Sequence, residues 1–277
     1  VGLTNQGASK VEIYDFSTGR LDETSLVWSV SLPYYNIAGL KLRRHEVWGE
    51  VAIVACGSSY ASIITYPEGK TVWSTNYAAN NPHSVELIPG DIFVVASSTG
   101  GALRFFDLLG ESNKYIEVNY PDAHGVLWDP ENQLLWALGE DMLRAFAVER
   151  DSAGTISVTE ITERRSTAPT GGGHDLAPVY GDTNQLWVTT NSAVYRYDKT
   201  TKEFTSFDSG IITKSVKGIG NFADGSVVAI APDGVFKSWT SATVNFYIWD
   251  GLKLNPLALK SSNGAFYKCR VWSTDYQ

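Results

Sequence analysis

Two cysteines and one methionine are all the sulfur in 277 residues, which excludes a disulfide framework as the source of stability. One bridge at most, Cys56 to Cys269, is open to the chain. Long hydrophobic runs are equally scarce. Charged or turn residues interrupt every apolar stretch well before the roughly 18 residues that a membrane-spanning helix requires, and no segment carries a convincing 3.6-residue period. Positive charge is in deficit too: 22 Lys and Arg face 30 Asp and Glu, leaving a net charge of −8. That balance excludes the extended basic face of a nucleic-acid binder, so any anionic ligand has to find a local basic patch. The opening Val1-Gly2-Leu3-Thr4 lacks an initiator Met and the basic and apolar regions of a leader, as expected for a secreted chain after leader removal. A soluble monomer with no membrane or nucleic-acid partner is the corresponding expectation.

What the sequence does have is β-rich material at a regular spacing, with 43% hydrophobic residues to supply a core. Segments 10–16, 62–68, 102–108, 142–148, 193–199 and 234–239 alternate aromatic or charged residues with apolar ones. They recur at roughly 40 to 50 residues, the period of propeller blades. Each follows a more apolar strand that ends in small polar residues, and each precedes a further strand, with Gly, Asn, Asp and Ser at the turns. Inner strands are expected to start near residues 38, 82, 123, 173 and 216. The first repeat has no inner strand of its own. Residues 265–272 resemble 39–48 in their Lys and Arg spacing, so the last strand is expected to complete the first blade and close the ring. The prediction is an all-β chain: a single six-bladed β-propeller domain over 1–277, favoured over a β-sandwich by the six matched units. Trp28, Trp73, Trp136 and Trp187 fall within strand patterns and are expected to pack between blades.

Inner strands line a propeller's central channel. Aligning the repeats places Lys268 or Arg270, Lys41 or Arg43, His83, His124, His174 and Lys217 around its mouth, so three of the four histidines share one repeat position. His45 lies off this register and reads as structural. Two chemistries compete for the cluster. Three imidazoles can converge on a divalent metal (Ca, Mn or Zn) with an open coordination position. Alternatively, cations and imidazoles at one mouth of an acidic protein form an anion trap. Lys41, Arg43, Lys217 and Arg270, with Asn81, Asp122 and Tyr60, are the candidate substrate-binding residues, and His83, His124 and His174 the candidate catalytic residues or metal ligands. Tyr77 and Tyr120 are candidate platforms for a sugar ring, and Gly171-Gly172-Gly173 is expected to permit an unusual backbone path or a close approach.

The sequences Asn81-Pro82-His83-Ser84, Asp122-Ala123-His124-Gly125 and Gly172-Gly173-His174-Asp175 resemble the one-histidine-per-blade pattern of propeller polysaccharide lyases of the oligogalacturonate lyase type. They also resemble uncharacterised secreted microbial propellers, a likeness that implies the fold without an activity. The lyase resemblance implies axial histidines around a divalent metal and a uronate-containing glycan as substrate. β-Elimination on such a glycan needs neutralisation of the carboxylate, a base for the α-proton and an acid for the leaving oxygen. A lyase is therefore the first expectation. A non-catalytic glycan-binding propeller is the alternative, as is a glycoside hydrolase using a carboxylate pair drawn from Asp122, Asp175 and Glu86.

Overall fold

The computed structural model describes residues 1–208 and 210–274. Alternating apolar residues with turn residues between them give short antiparallel strands, and these assemble into six sheets, five of four strands and one, blade four, of five because Ser166–Thr167 adds to it. Blade one is Phe266–Arg270, Gly2–Asn5, Lys10–Tyr14 and Leu26–Ser31, from the axis outward. The C-terminal strand thus completes the first blade, pairing Cys269 with Leu3 and Phe266 with Asn5. Blades two to six begin at the axis with Ile37–His45, Pro82–Ile88, Ala123–Asp129, Asp175–Pro178 and Gly218–Asn221. Each inner strand touches the next around the ring, and the last touches the first.

Burial follows this plan, with one hydrophobic cluster at each junction between blades. Trp136 and Tyr197 pack between blades four and five, and Trp187 with Val227 and Tyr247 between five and six. Trp28 meets Tyr66 of blade two, and Trp73 meets Phe93 of blade three. The four tryptophans expected to pack between blades do so. At the axis the inner strands approach so closely that a side chain cannot be accommodated at two of them. A Cβ on Gly125 would lie 2.6 Å from Leu176 Cβ, and one on Gly218 would lie 2.6 Å from Cys269 N.

Two expectations are corrected, and one question left open by the sequence is answered. Residues 234–239 are not a third strand; they belong to a long loop between Val227–Ile230 and Thr243–Trp249, and blade six takes Leu254–Lys260 as its outer strand. Propensity was satisfied there by an aromatic-rich loop instead of a ladder. Cys56 and Cys269 are both free and buried. Cys269 faces blade six, with its Sγ against Val228 O, while Cys56 packs between blades one and two. Finally, Lys268 and Arg270 do not sit level with Lys41 and Arg43. The ladders pair Cys269 with Leu3 and Leu40 with Val54, which sets Arg270 level with Lys41, two residues away from the sequence alignment. Because side chains alternate with a period of two, the slip kept the facing and changed only the depth.

Candidate functional site

The mouth of the channel is built by one repeated backbone device. In blades two, three and four the inner ladder skips a single residue, at Ala38, His83 and His124. A bulge of this kind leaves the extra residue unpaired and re-aims its side chain. In blade one the irregularity falls between the pairs made by Phe266 and Cys269, across Tyr267 and Lys268. His174 and Lys217 stand at the same level, their amides donating to Thr189 O and Ile230 O at 2.8 Å. Two residues before each of these positions in blades two to six the backbone turns left-handed, at Asn36, Asn81, Asp122, Gly172 and Ser215. Asn, Asp and Gly tolerate that region best, which accounts for the residue types there.

The result is a ring of Tyr267, Ala38, His83, His124, His174 and Lys217, all buried. The three predicted histidines do come together: the ring centroids of His83 and His124 are 4.3 Å apart, and those of His124 and His174 are 5.5 Å apart. Tyr267, which the repeat alignment passed over, packs edge-on to His83 at 5.6 Å. The small residue that follows four of the six axial positions (Gly39, Ser84, Gly125, Gly218) was the signal that could have located Ala38 and anchored the alignment.

The imidazoles are not equivalent. His83 Nδ1 donates to Asn81 O at 2.9 Å, and His124 Nδ1 donates to Asp122 O at 2.8 Å. Since a carbonyl only accepts, both rings carry their proton on Nδ1 and present Nε2 as a lone pair. His174 is different. Its Nε2 lies 2.7 Å from Lys217 Nζ and 2.6 Å from Asn191 Oδ1, while its Nδ1 is buried without a partner. Burial, followed by the charges of Lys217 and neighbouring rings, lowers His174 to about 3. Burial likewise lowers His124 to about 4 and takes His83 well below the ordinary histidine value, with His124 adding to the effect. All three are neutral at physiological pH. Lys217 is lowered to about 8 by burial and by the ammonium of Lys268. Among the described residues no group of three or more His, Cys, Asp and Glu is disposed to hold a metal.

Most of the predicted cations are engaged deeper in the channel. Glu86 accepts from Lys41 Nζ at 2.8 Å and from Arg43 at 2.6 and 2.8 Å. Lys41 also donates to Val126 O. Asp175 accepts from Lys268 at 2.9 Å and from Arg270 Nη1 at 2.7 Å. Burial pushes both carboxyls up, but the paired cations outweigh it and hold them below the usual carboxylate range. Lys41, Arg43 and Arg270 line a small cavity with Pro178 at the far end of the inner strands. Of the proposed anion-binding cations, Lys217 alone belongs to the mouth. Glu86 and Asp175, being ion-paired and buried, do not form a catalytic carboxylate pair with Asp122.

The remaining candidates are placed as follows. Tyr60 is buried against Tyr34. Asn81 Nδ2 donates to Ser98 Oγ and Thr99 Oγ1, at 3.1 and 3.2 Å. The Asp122 carboxyl is 44% exposed beside His124 and is raised by burial against the opposing pull of Lys217. Tyr120 is no sugar platform: it is buried, and its hydroxyl donates to Ala137 O and Met142 O. Tyr77 is half exposed. His45 pairs with Asp91 at 2.9 Å and stacks on Trp48, the structural role expected of it. Gly172 has φ +73, and a Cβ there would fall 1.9 Å from Asn191 Nδ2, so the glycine run does permit a close approach.

Open volume lies beside Lys217. A cleft of about 520 Å³ between the segment leading into blade six and that blade's long loop is lined by Lys214, Ser215, Lys217, Asp233, Trp239 and Asn245, among others. Its outer wall is the blade-six loop whose sequence had read as a strand. Asp233 braces this loop by accepting from Val235 N and Ala242 N. Trp239 Nε1 donates to Gln6 Oε1 at 3.0 Å, and Lys237 Nζ donates to Asn36 Oδ1 at 2.6 Å, fastening the loop across blades one and two.

These features define a six-bladed propeller with a neutral imidazole ring at one mouth and an aromatic-walled cleft beside it. The chain belongs to a family of unknown function, DUF6528, which matches residues 45–247. It is similar in fold to a functionally unknown protein from Desulfotomaculum acetoxidans DSM 771 known from a crystal structure. The TM-score is 0.60 at 13% identity, covering 97% of this chain and 83% of the other. No curated protein matches the chain, so the resemblance to oligogalacturonate lyases rests on the histidine pattern alone.

Proposed function

We propose that this protein binds an acidic saccharide at the mouth of the channel, in the cleft walled by the blade-six loop. One juxtaposition carries the reading: an indole face and two lysines border the same cleft. Trp239 is 43% exposed, and its N–H bond to Gln6 fixes the ring before any ligand arrives. A sugar ring stacks on such a surface at low ordering cost. Lys214 is exposed and Lys217 lies at the deep wall, so a carboxylate drawn in by the first can reach the second. Ser215, Ser238, Thr243 and Asn245 supply groups for hydroxyls. The test is calorimetric titration with galacturonate oligomers and with neutral galactose oligomers of equal length. The acidic series should bind with a dissociation constant of about 1 mM or tighter and weaken with salt. Trp239→Ala should lose about tenfold in affinity, roughly 1.4 kcal/mol. Equal affinity for both series, or none for either, rejects the reading.

Elimination on a bound uronate is the second reading, favoured by one observation. His124 holds its proton on Nδ1 against Asp122 O, which leaves Nε2 as a base, with or without a divalent ion shared with His83. Its low proton affinity makes it a weak base, and Lys217, with Lys214 further out, would neutralise the substrate carboxylate. Ultraviolet absorbance of an unsaturated product, lost in His124→Ala, is the result this reading requires.

A further inference from the structure

We propose that Lys217 is a reactive amine that captures carbonyl compounds carrying a carboxylate, such as 2-oxo acids or the open-chain aldehyde of an acidic sugar, as an imine. The ligand class rests on the acidic-saccharide reading of the cleft; the reactivity of the amine rests on its own surroundings. Lys217 is the one member of the axial ring that lines the cleft. Among the described residues, no carboxylate lies within ion-pairing distance of its Nζ, in contrast to Lys41 and Lys268, which are held by Glu86 and Asp175. What it does touch is His174 Nε2 at 2.7 Å. That nitrogen offers either one lone pair or one proton, and Asn191 Oδ1 claims it from the other side at 2.6 Å. When Nε2–H donates to Asn191, that nitrogen has no lone pair left for the lysine, and the contact gives an ammonium no acceptor. A second ammonium acts on the same residue, since Lys268 Nζ donates to His174 O. Lys217 is therefore desolvated, beside another cation and unpaired with an anion, the setting that turns a lysine into a nucleophile. Its proton affinity is reduced accordingly, to about 8. Asp122 pulls the other way, and His124 faces the pair as a neutral ring.

The chemistry balances without a further reagent. The ammonium gives its proton to solvent, and the amine attacks the carbonyl carbon to form a C–N bond while the oxygen takes up a proton. The carbinolamine then loses water to give the imine. Exposed Lys214 remains available for the ligand's carboxylate.

The test is reductive trapping on the full chain with glyoxylate and cyanoborohydride at pH 7, followed by peptide mapping. Lys217 should be modified at least about tenfold faster than Lys114, which is 74% exposed, because a larger fraction of it is unprotonated. Its rate should rise with a midpoint near pH 8, while that of Lys114 keeps climbing toward the ordinary lysine range. Galacturonate oligomers should slow Lys217 and leave Lys114 unaffected, and Lys217→Arg should abolish the fast site. Labelling of Lys217 no faster than Lys114, or with the same pH profile, overturns the proposal. If saccharide binding survives that result, the cleft reading stands and only the amine falls. Fast labelling without saccharide binding has the opposite meaning: the amine stands and the saccharide reading falls.

Discussion

The two levels of the axial channel use similar side chains to opposite ends. At the deeper level, Glu86 and Asp175 each gather two cations, with backbone N–H groups of Leu87 and Trp128 for the first and of Ile219 for the second, so the charges lie among complementary partners. At the mouth, polar groups are buried to a similar degree yet left incomplete. His174 Nδ1 is buried without a partner, and Lys217 and Asn191 compete for one nitrogen. Satisfied buried networks hold a fold together. Unsatisfied ones cost stability.

Removing one partner at the deeper level should have the largest effect. Asp175→Ala leaves Lys268 and Arg270 without their common carboxylate and should cost about 3–5 kcal/mol in denaturant unfolding. A loss under about 1 kcal/mol, with saccharide binding abolished, would invert the comparison and make Asp175 the functional group. Acid should act next, and at the mouth. Each histidine has a folded pKa below its unfolded value near 6.5, so the unfolded chain binds more protons as pH falls. Stability is then full above about pH 6.5 and lost progressively toward the folded values, about 4 for His124 and about 3 for His174. The slope is about 1.4 kcal/mol per pH unit for each histidine. His124→Asn should therefore shrink the stability lost between pH 7 and pH 5 by about 2 kcal/mol. An unchanged pH profile in that variant would mean the ring is hydrated and the contrast between the two levels is false.

The fold was legible because blades repeat: six strand sets and an inner strand missing from the first repeat implied ring closure by the C-terminus. Register was less legible. Lys268 and Lys41 share a pattern of alternation, and a slip of two residues preserves facing, so nothing local distinguished the two alignments. Hence the cations of the deeper level were read as residents of the mouth. The histidines were found because three of four fall at one repeat position. Tyr267 and Ala38 were missed because a position filled by several different chemistries is recognisable only by its bulge and, for Ala38, by the glycine after it. The blade-six loop was misread because Val235, Phe236 and Trp239 carry strand propensity without a ladder partner. Of the residues that broke the repeat, Ser238 and Trp239 wall the cleft.

Gly172→Ala should have the smallest effect of the three and discriminates most finely between the levels. At φ +73 an alanine costs about 1–2 kcal/mol in backbone strain. Its methyl would also occupy the place of the Asn191 amide. That amide ends a flexible side chain and can swing away, so the fold survives and His174 Nε2 loses one of its two claimants. Lys217 then becomes its sole partner, donating as an ammonium. The variant should unfold about 1–2 kcal/mol more easily, and the trapping rate at Lys217 should fall, with its midpoint moving above pH 8. Loss of stability with an unaltered trapping profile would show that Asn191 plays no part in tuning the amine and that the glycine serves the backbone turn alone.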